Sequence, residues 1–117
     1  MFRFEELDVL KRAIEASDIL FDIANKSDDQ KHYRFSEQLR SAAMSITNNI
    51  TEGSASPYEK EFAQFLNIAR RSVFECVNIL VIYERRKFIT NDESISVKSE
   101  LLVISKMLTN LRKSILN

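Results

Sequence analysis

Residues 35–57 read FSEQLRSAAMSITNNITEGSASP, and this stretch decides the fold class. Phe35, Leu39, Ala42, Ala43, Ile46 and Ile50 recur at three- and four-residue steps, which lines one face of an α-helix. The paired alanines leave room for a partner backbone to come close. The run stops at Gly53, the chain's one glycine, where a left-handed residue can close a helix. Ser56, Pro57 and Glu59 then have the spacing of a helix start: cap, first-position proline and capping-box glutamate. A long amphipathic run, a short break and a new start predict helices packed side by side.

The same grammar extends in both directions. Towards the N-terminus, about residues 5–26, one stripe is Leu7, Leu10, Ile14, Phe21 and Ala24, with Ser17 in its polar slot. Val9, Ala13, Ala16, Leu20 and Ile23 form a second stripe, so this helix is apolar enough to touch two neighbours. The polar run Asn25–Gln30 breaks it, and Ser27 with Gln30 has capping-box spacing, predicting a second helix over about 28–53. Past Pro57, Phe62, Phe65, Leu66, Ala69, Val73, Cys76, Leu80 and Tyr83 predict a long third helix over about 57–88. Thr90 and Glu93 form another capping box, and Val97, Leu101, Ile104, Leu108, Leu111 and Ile115 carry a fourth helix over about 91–116. Residues 1–117 thus read as one all-α domain, an antiparallel up-down four-helix bundle. No low-complexity tract or obvious internal repeat interrupts it.

Composition narrows the chemistry. With 117 residues, one Gly and one Pro, the chain lacks the turn residues of a β-rich fold and any glycine-rich phosphate loop. Lys+Arg and Asp+Glu are both 17, so net charge is zero and gives no long-range pull towards nucleic acid or lipid. The charge is uneven: residues 1–30 hold 4 basic and 8 acidic groups, residues 31–90 hold 9 and 6. A single cysteine and the lack of a long apolar run fit a cytoplasmic protein without a membrane segment. A di-iron bundle needs Glu-x-x-His pairs, but the lone His32 follows Asp29 at that spacing and is expected on the solvated surface. Cys76, between Val73 and Leu80 on the apolar stripe, is expected to be an inert buried thiol. No metal, cofactor or enzymatic activity is expected.

Two polar patterns remain. Gln38, Ser45, Asn49 and Glu52 share one face of the second helix, and Arg70, Ser72 and Glu75 an edge of the third. They predict a hydrogen-bonded seam between helices or between subunits, the alternative being a solvated flank. The basic runs Arg70-Arg71 and Arg85-Arg86-Lys87 are solvated or salt-bridged in a monomer, whereas a ring of subunits would repeat them into a surface for a nucleic-acid backbone.

Residues Gln38–Gly53 resemble the pattern Q-L-R-x-A-A-x-S-I-x-x-N-I-x-E-G of the bacterial four-helix-bundle family encoded in intervening sequences of 23S ribosomal RNA genes. Phe4–Val9 leading into Ala13, Glu61-Phe62, Phe65-Leu66 and Ile68–Glu75 resemble it too. The resemblance implies a closed homopentamer with no established enzymatic activity. A related branch, the accessory variability determinant of diversity-generating retroelements, is a basic pentamer that binds nucleic acid and a reverse transcriptase. Arg71 stands where the family often has glycine, Leu10 where it has an aromatic, and Ala55-Ser56-Pro57 where it often has a basic loop. The expected role is a non-enzymatic oligomeric scaffold associated with ribosomal RNA or other nucleic acid through Arg40, Arg70, Arg71, Arg85, Arg86 and Lys87. Its subunits would meet along the Ser45-Asn49-Glu52 side. The alternative is a protein-interaction module with no nucleic-acid role.

Overall fold

Apolar faces on four successive helices can be hidden only by turning all of them inward, and the chain does so by running up and down. The computed structural model describes residues 7–117. It contains α1 (Asp8–Asp29), α2 (Tyr33–Ser54), α3 (Glu59–Arg85) and α4 (Asn91–Leu116), and no strand among the described residues. Each helix packs on the next and α4 returns to α1, giving an all-α up-down bundle of 45 × 21 × 21 Å. Leu20, Leu39, Ile46, Ile50, Leu66, Leu80, Leu101 and Ile104 form its centre. The predicted stripes of α2, α3 and α4 face inward, except that Phe35, Phe65, Leu111 and Ile115 are only half-buried.

The helix ends differ from the sequence reading. Glu5 and Glu6 lie outside the described residues. α1 runs on through Asp29, and Ser27 is buried in its last turn rather than capping α2. Its end is set by Lys31, at φ 65°, with Lys31 N–H donating to Asp28 O (2.8 Å) and His32 N–H to Ser27 O (2.9 Å). These bonds satisfy carbonyls that a helix end otherwise leaves open. Gly53 is not left-handed; it lies inside α2, where a Cβ would stand 2.6 Å from Phe65 Cβ. α3 begins at Glu59 rather than Pro57, because the Ser56 hydroxyl accepts the Tyr58 amide (3.1 Å) in a local turn instead of capping a helix. α3 stops at Arg85, short of residue 88, where Lys87 takes φ 61°. The Thr90–Glu93 capping box forms as read. In α1, Ile14 is exposed and Ser17 takes the inward position.

The bundle does contain an internal repeat, clear in geometry and faint in letters. Buried α1 positions 10, 13, 16, 17, 20, 23, 24 and 27, moved by 56, fall on buried α3 positions 66, 69, 72, 73, 76, 79, 80 and 83. Buried α2 positions 36, 39, 43, 46 and 50, moved by 58, fall on buried α4 positions 94, 97, 101, 104 and 108. The end of α3 copies that of α1: Lys87 N–H donates to Glu84 O (3.0 Å) and Phe88 N–H to Tyr83 O (2.8 Å). The first hairpin is latched by Asp28, which accepts from Ser36 and Arg40. The second is latched by Glu84, which accepts from Ser94 (3.1 Å) and Lys98 (3.3 Å). Leu10 and Leu66, Ala13 and Ala69, Ile23 and Ile79, Ser36 and Ser94, and Ile46 and Ile104 are identical, but Ser27 pairs with Tyr83 and Leu20 with Cys76, so the repeat is faint in residue identity.

These latches make stability pH-dependent. Hydrogen bonds from Arg40 and then Ser36 hold the Asp28 carboxyl below the usual aspartate range. Those from Lys98 and Ser94 do the same for Glu84. A carboxylate depressed in the folded state stabilises above its unfolded pKa, and that contribution is lost as pH falls through the lower folded value. Urea unfolding should show stability falling below about pH 4, and less steeply in an Asp28→Asn, Glu84→Gln variant. Equal slopes in the two proteins would show that the latches carry no linkage.

Candidate nucleic-acid interface

Up-down topology places the α1–α2 turn and the α3–α4 turn at the same end of the bundle. Aromatic packing ties them together. The His32 ring stacks on Phe88 with centroids 4.0 Å apart, and Phe35 and Tyr83 each meet Phe88 edge-on at 5.4 Å. His32 is therefore half-buried, not the solvated histidine of the sequence reading, because the fold supplies an aromatic partner from the other hairpin.

Around this cluster, Lys31, Arg34, Arg85, Arg86 and Lys87 are all exposed. Within residues 29–34 and 85–92 the opposing carboxylates are Asp29 and Asp92, leaving five cations against two anions. Nearby Asp28, Glu84 and Glu93 are occupied by Arg40, Lys98 and Lys26, while Glu37 stands exposed one turn after Arg34. Lys31 and Lys87 project from left-handed turns in which their own N–H groups donate to Asp28 O and Glu84 O. Tyr33, 57% exposed, adds an aromatic face beside Arg34. Clustered cations with an accessible ring suit phosphates and an unstacked base.

The six basic residues singled out in the sequence separate. Arg85, Arg86 and Lys87 belong to this end. Arg40 does not: its guanidinium donates to Asp28 and to Asn25 Oδ1 (2.7 Å), so its charge is spent inside the first hairpin. Arg70 sits mid-bundle, bonded to Asn67 Oδ1 (3.4 Å) and lying 5.2 Å over the Phe74 ring. Arg71 is exposed beside it. Lys31, Arg34 and Tyr33 were missed; the signal available was that alternate breaks of an up-down bundle share an end.

The polar pattern resolves in part. Asn49 Nδ2 donates to Ser45 O (2.7 Å) and Oγ (3.0 Å), and the Ser72 hydroxyl donates to Ile68 O (3.1 Å). With its proton so used, Ser72 accepts from Ser45 across 2.7 Å, completing a directed chain between α2 and α3. Gln38, Glu52 and Glu75 stand exposed outside this chain. Cys76 is sealed in the core, and burial pushes its thiol up to about 12, leaving no reactive thiolate. Among the described residues no group of His, Cys, Asp and Glu is placed to hold a metal ion, and no helix is long and apolar enough to cross a membrane.

Comparison with known proteins agrees with this architecture. The family model for the 23S rRNA-intervening sequence protein matches residues 5–110. A crystal structure of a protein of unknown function from the S23 ribosomal protein family of Bacteroides thetaiotaomicron superposes with a TM-score of 0.85 at 24% identity. That match covers 90% of this chain and 98% of the other, and it establishes the shared fold. No curated protein matches.

Proposed function

The chain belongs to the 23S rRNA-intervening sequence protein family, and from that premise we propose a non-enzymatic, self-associating cytoplasmic protein that holds a structured RNA against its basic loop end. The observation that carries this reading is the joining of Lys31, Arg34, Arg85, Arg86 and Lys87 into one exposed surface by the His32–Phe88 stack. Zero net charge is no obstacle, because phosphates respond to local clusters and the acidic groups lie mostly elsewhere. Self-association fits the exposed Phe74, Val81, Ile95 and Leu102 on α3 and α4, apolar side chains that one copy leaves in water. A homopentamer, as the sequence resemblance implies, would present five loop ends to one RNA and gain by multivalency.

Fluorescence anisotropy with a labelled ribosomal-RNA hairpin tests it. Binding should weaken steeply with salt, and an Arg85→Glu, Arg86→Glu, Lys87→Glu variant should bind about tenfold or more weakly with a shallower salt slope. No binding at about 50 mM salt, or an unchanged triple variant, would overturn the reading. Light scattering on the same samples reports the assembly.

A further inference from the structure

The internal repeat makes α2–α3 and α1–α4 equivalent seams, yet one is closed and the other open. In the closed seam Gly53 lies against Phe62 and Phe65, and Ser45 reaches Ser72. In the open seam Arg12 and Glu100 stand at the positions of Ile68 and Ala42, and these long side chains bridge the helices through paired 2.8 Å bonds. Ala16 takes the place of Ser72 and makes no such reach. Three clefts of about 300, 560 and 420 Å³ follow one another along this seam. Val9 and Met107 give the first cleft an apolar lining and Ile19 and Ile23 the third, while the middle cleft, with Ala16 at its base, is lined mainly by polar groups and bridged by Arg12 and Glu100.

The rim is acidic. Asp8, Glu15, Asp22, Asp92, Glu93 and Glu100 line the clefts, against Arg12 and Lys26. Both cations are already engaged, Arg12 by Glu100 and Lys26 by Glu93, so four carboxylates are in excess. Such a groove repels a phosphate backbone, which separates it from the basic loop end. From Asp8 to Lys26 it runs about 27 Å at 1.5 Å per residue, the length of a helix of about 18 residues.

We infer that the α1–α4 groove docks an amphipathic helix of a partner protein, with apolar side chains in the two end clefts and lysines or arginines against the acidic rim, the helix passing over the Arg12–Glu100 bridge between them. Apolar anchors at helical spacing give affinity, and the charge pattern selects the partner and speeds encounter.

The probe is a fluorescent Leu/Lys peptide of about 18 residues with leucines at heptad spacing, tested on the full chain. It should bind about tenfold or more tightly than a scrambled peptide of the same composition. A Glu15→Lys, Asp22→Lys variant, both sites exposed and outside the core, should lose about tenfold in affinity with unchanged circular dichroism and mass. NMR shift changes should fall on α1 and α4. Equal binding of the scrambled peptide, or shift changes elsewhere, would overturn the assignment. So would a drop in assembly mass of the variant, which would place a second copy in the groove. RNA binding by the loop end is measured separately, so either reading can fail without the other.

Discussion

Replacing Gly53 by leucine is expected to destabilise the bundle by about 3 kcal/mol or more, and replacing it by alanine by about 1–2 kcal/mol. The sign for alanine is the informative part. In an open helix, alanine for glycine should stabilise by up to about 1 kcal/mol, since glycine loses more backbone freedom on folding. Here the added Cβ would lie 2.6 Å from Phe65 Cβ, 3.0 Å from Phe62 Cδ1 and 3.3 Å from Phe62 O. A ring carbon can swing aside. A Cβ and a carbonyl are rooted in the α3 backbone, so α2 and α3 must move apart. That movement also strains the Ser45–Ser72 bond, 2.7 Å long and two turns away. Urea unfolding followed by circular dichroism measures the outcome. A Gly53→Ala protein more stable than its parent would mean that this glycine does not set the α2–α3 spacing.

Gly53 also shows what the sequence could and could not say. A lone glycine at the end of an apolar stripe fits either a left-handed helix end or a close helix approach, and only the position of Phe65 separates them. The stripes themselves were legible because period 3.6 is imposed on every buried turn: Leu39, Ala43, Ile46 and Ile50 are all buried as read. Thr90–Glu93 was legible because a capping box is local. Ser27–Gln30 has the same spacing and failed, since Ser27 is drawn into the core at the Tyr83 level and the αL turn at Lys31 ends the helix instead. Ile14 failed in a similar way. Its stripe and the neighbouring one together are wider than the buried face, and Ser17 won the inward place.

For the site, the run Arg85–Lys87 was visible as letters. Its companions Lys31 and Arg34 lie more than fifty residues away and join it only through topology. Arg40 stands apart from that run because its partner Asp28 is on another helix, and an ion pair across helices has no fixed spacing in the sequence. The acidic groove needed the repeat to be seen first. Only against the closed α2–α3 seam do Arg12 and Glu100 stand out as long side chains propping its counterpart open.

The core beneath the loop end gives the second large effect. Tyr83→Ala should cost about 3–5 kcal/mol, the range for removing a buried aromatic ring, whereas Tyr83→Phe should cost nothing or stabilise by about 1 kcal/mol. Tyr83 is 0% exposed, and its ring centroid lies 6.2 Å from that of Phe35 and 5.4 Å from that of Phe88. Removing it leaves a cavity between the two hairpins and takes away the surface that backs the His32–Phe88 stack. The hydroxyl is different. It is sealed from water and makes no hydrogen bond of ordinary geometry among the described residues; burial pushes its pKa up, and the nearby Ser27 hydroxyl offsets this only in part. A buried donor so poorly partnered costs free energy in the folded state, and phenylalanine removes that cost while keeping the ring. Because the ring holds the two turns together, Tyr83→Ala should also weaken RNA binding at the loop end, while Tyr83→Phe should not. Equal loss of stability in both variants would show that the hydroxyl is bonded. Intact RNA binding in a folded Tyr83→Ala protein would show that the two basic turns do not depend on the aromatic cluster for their alignment.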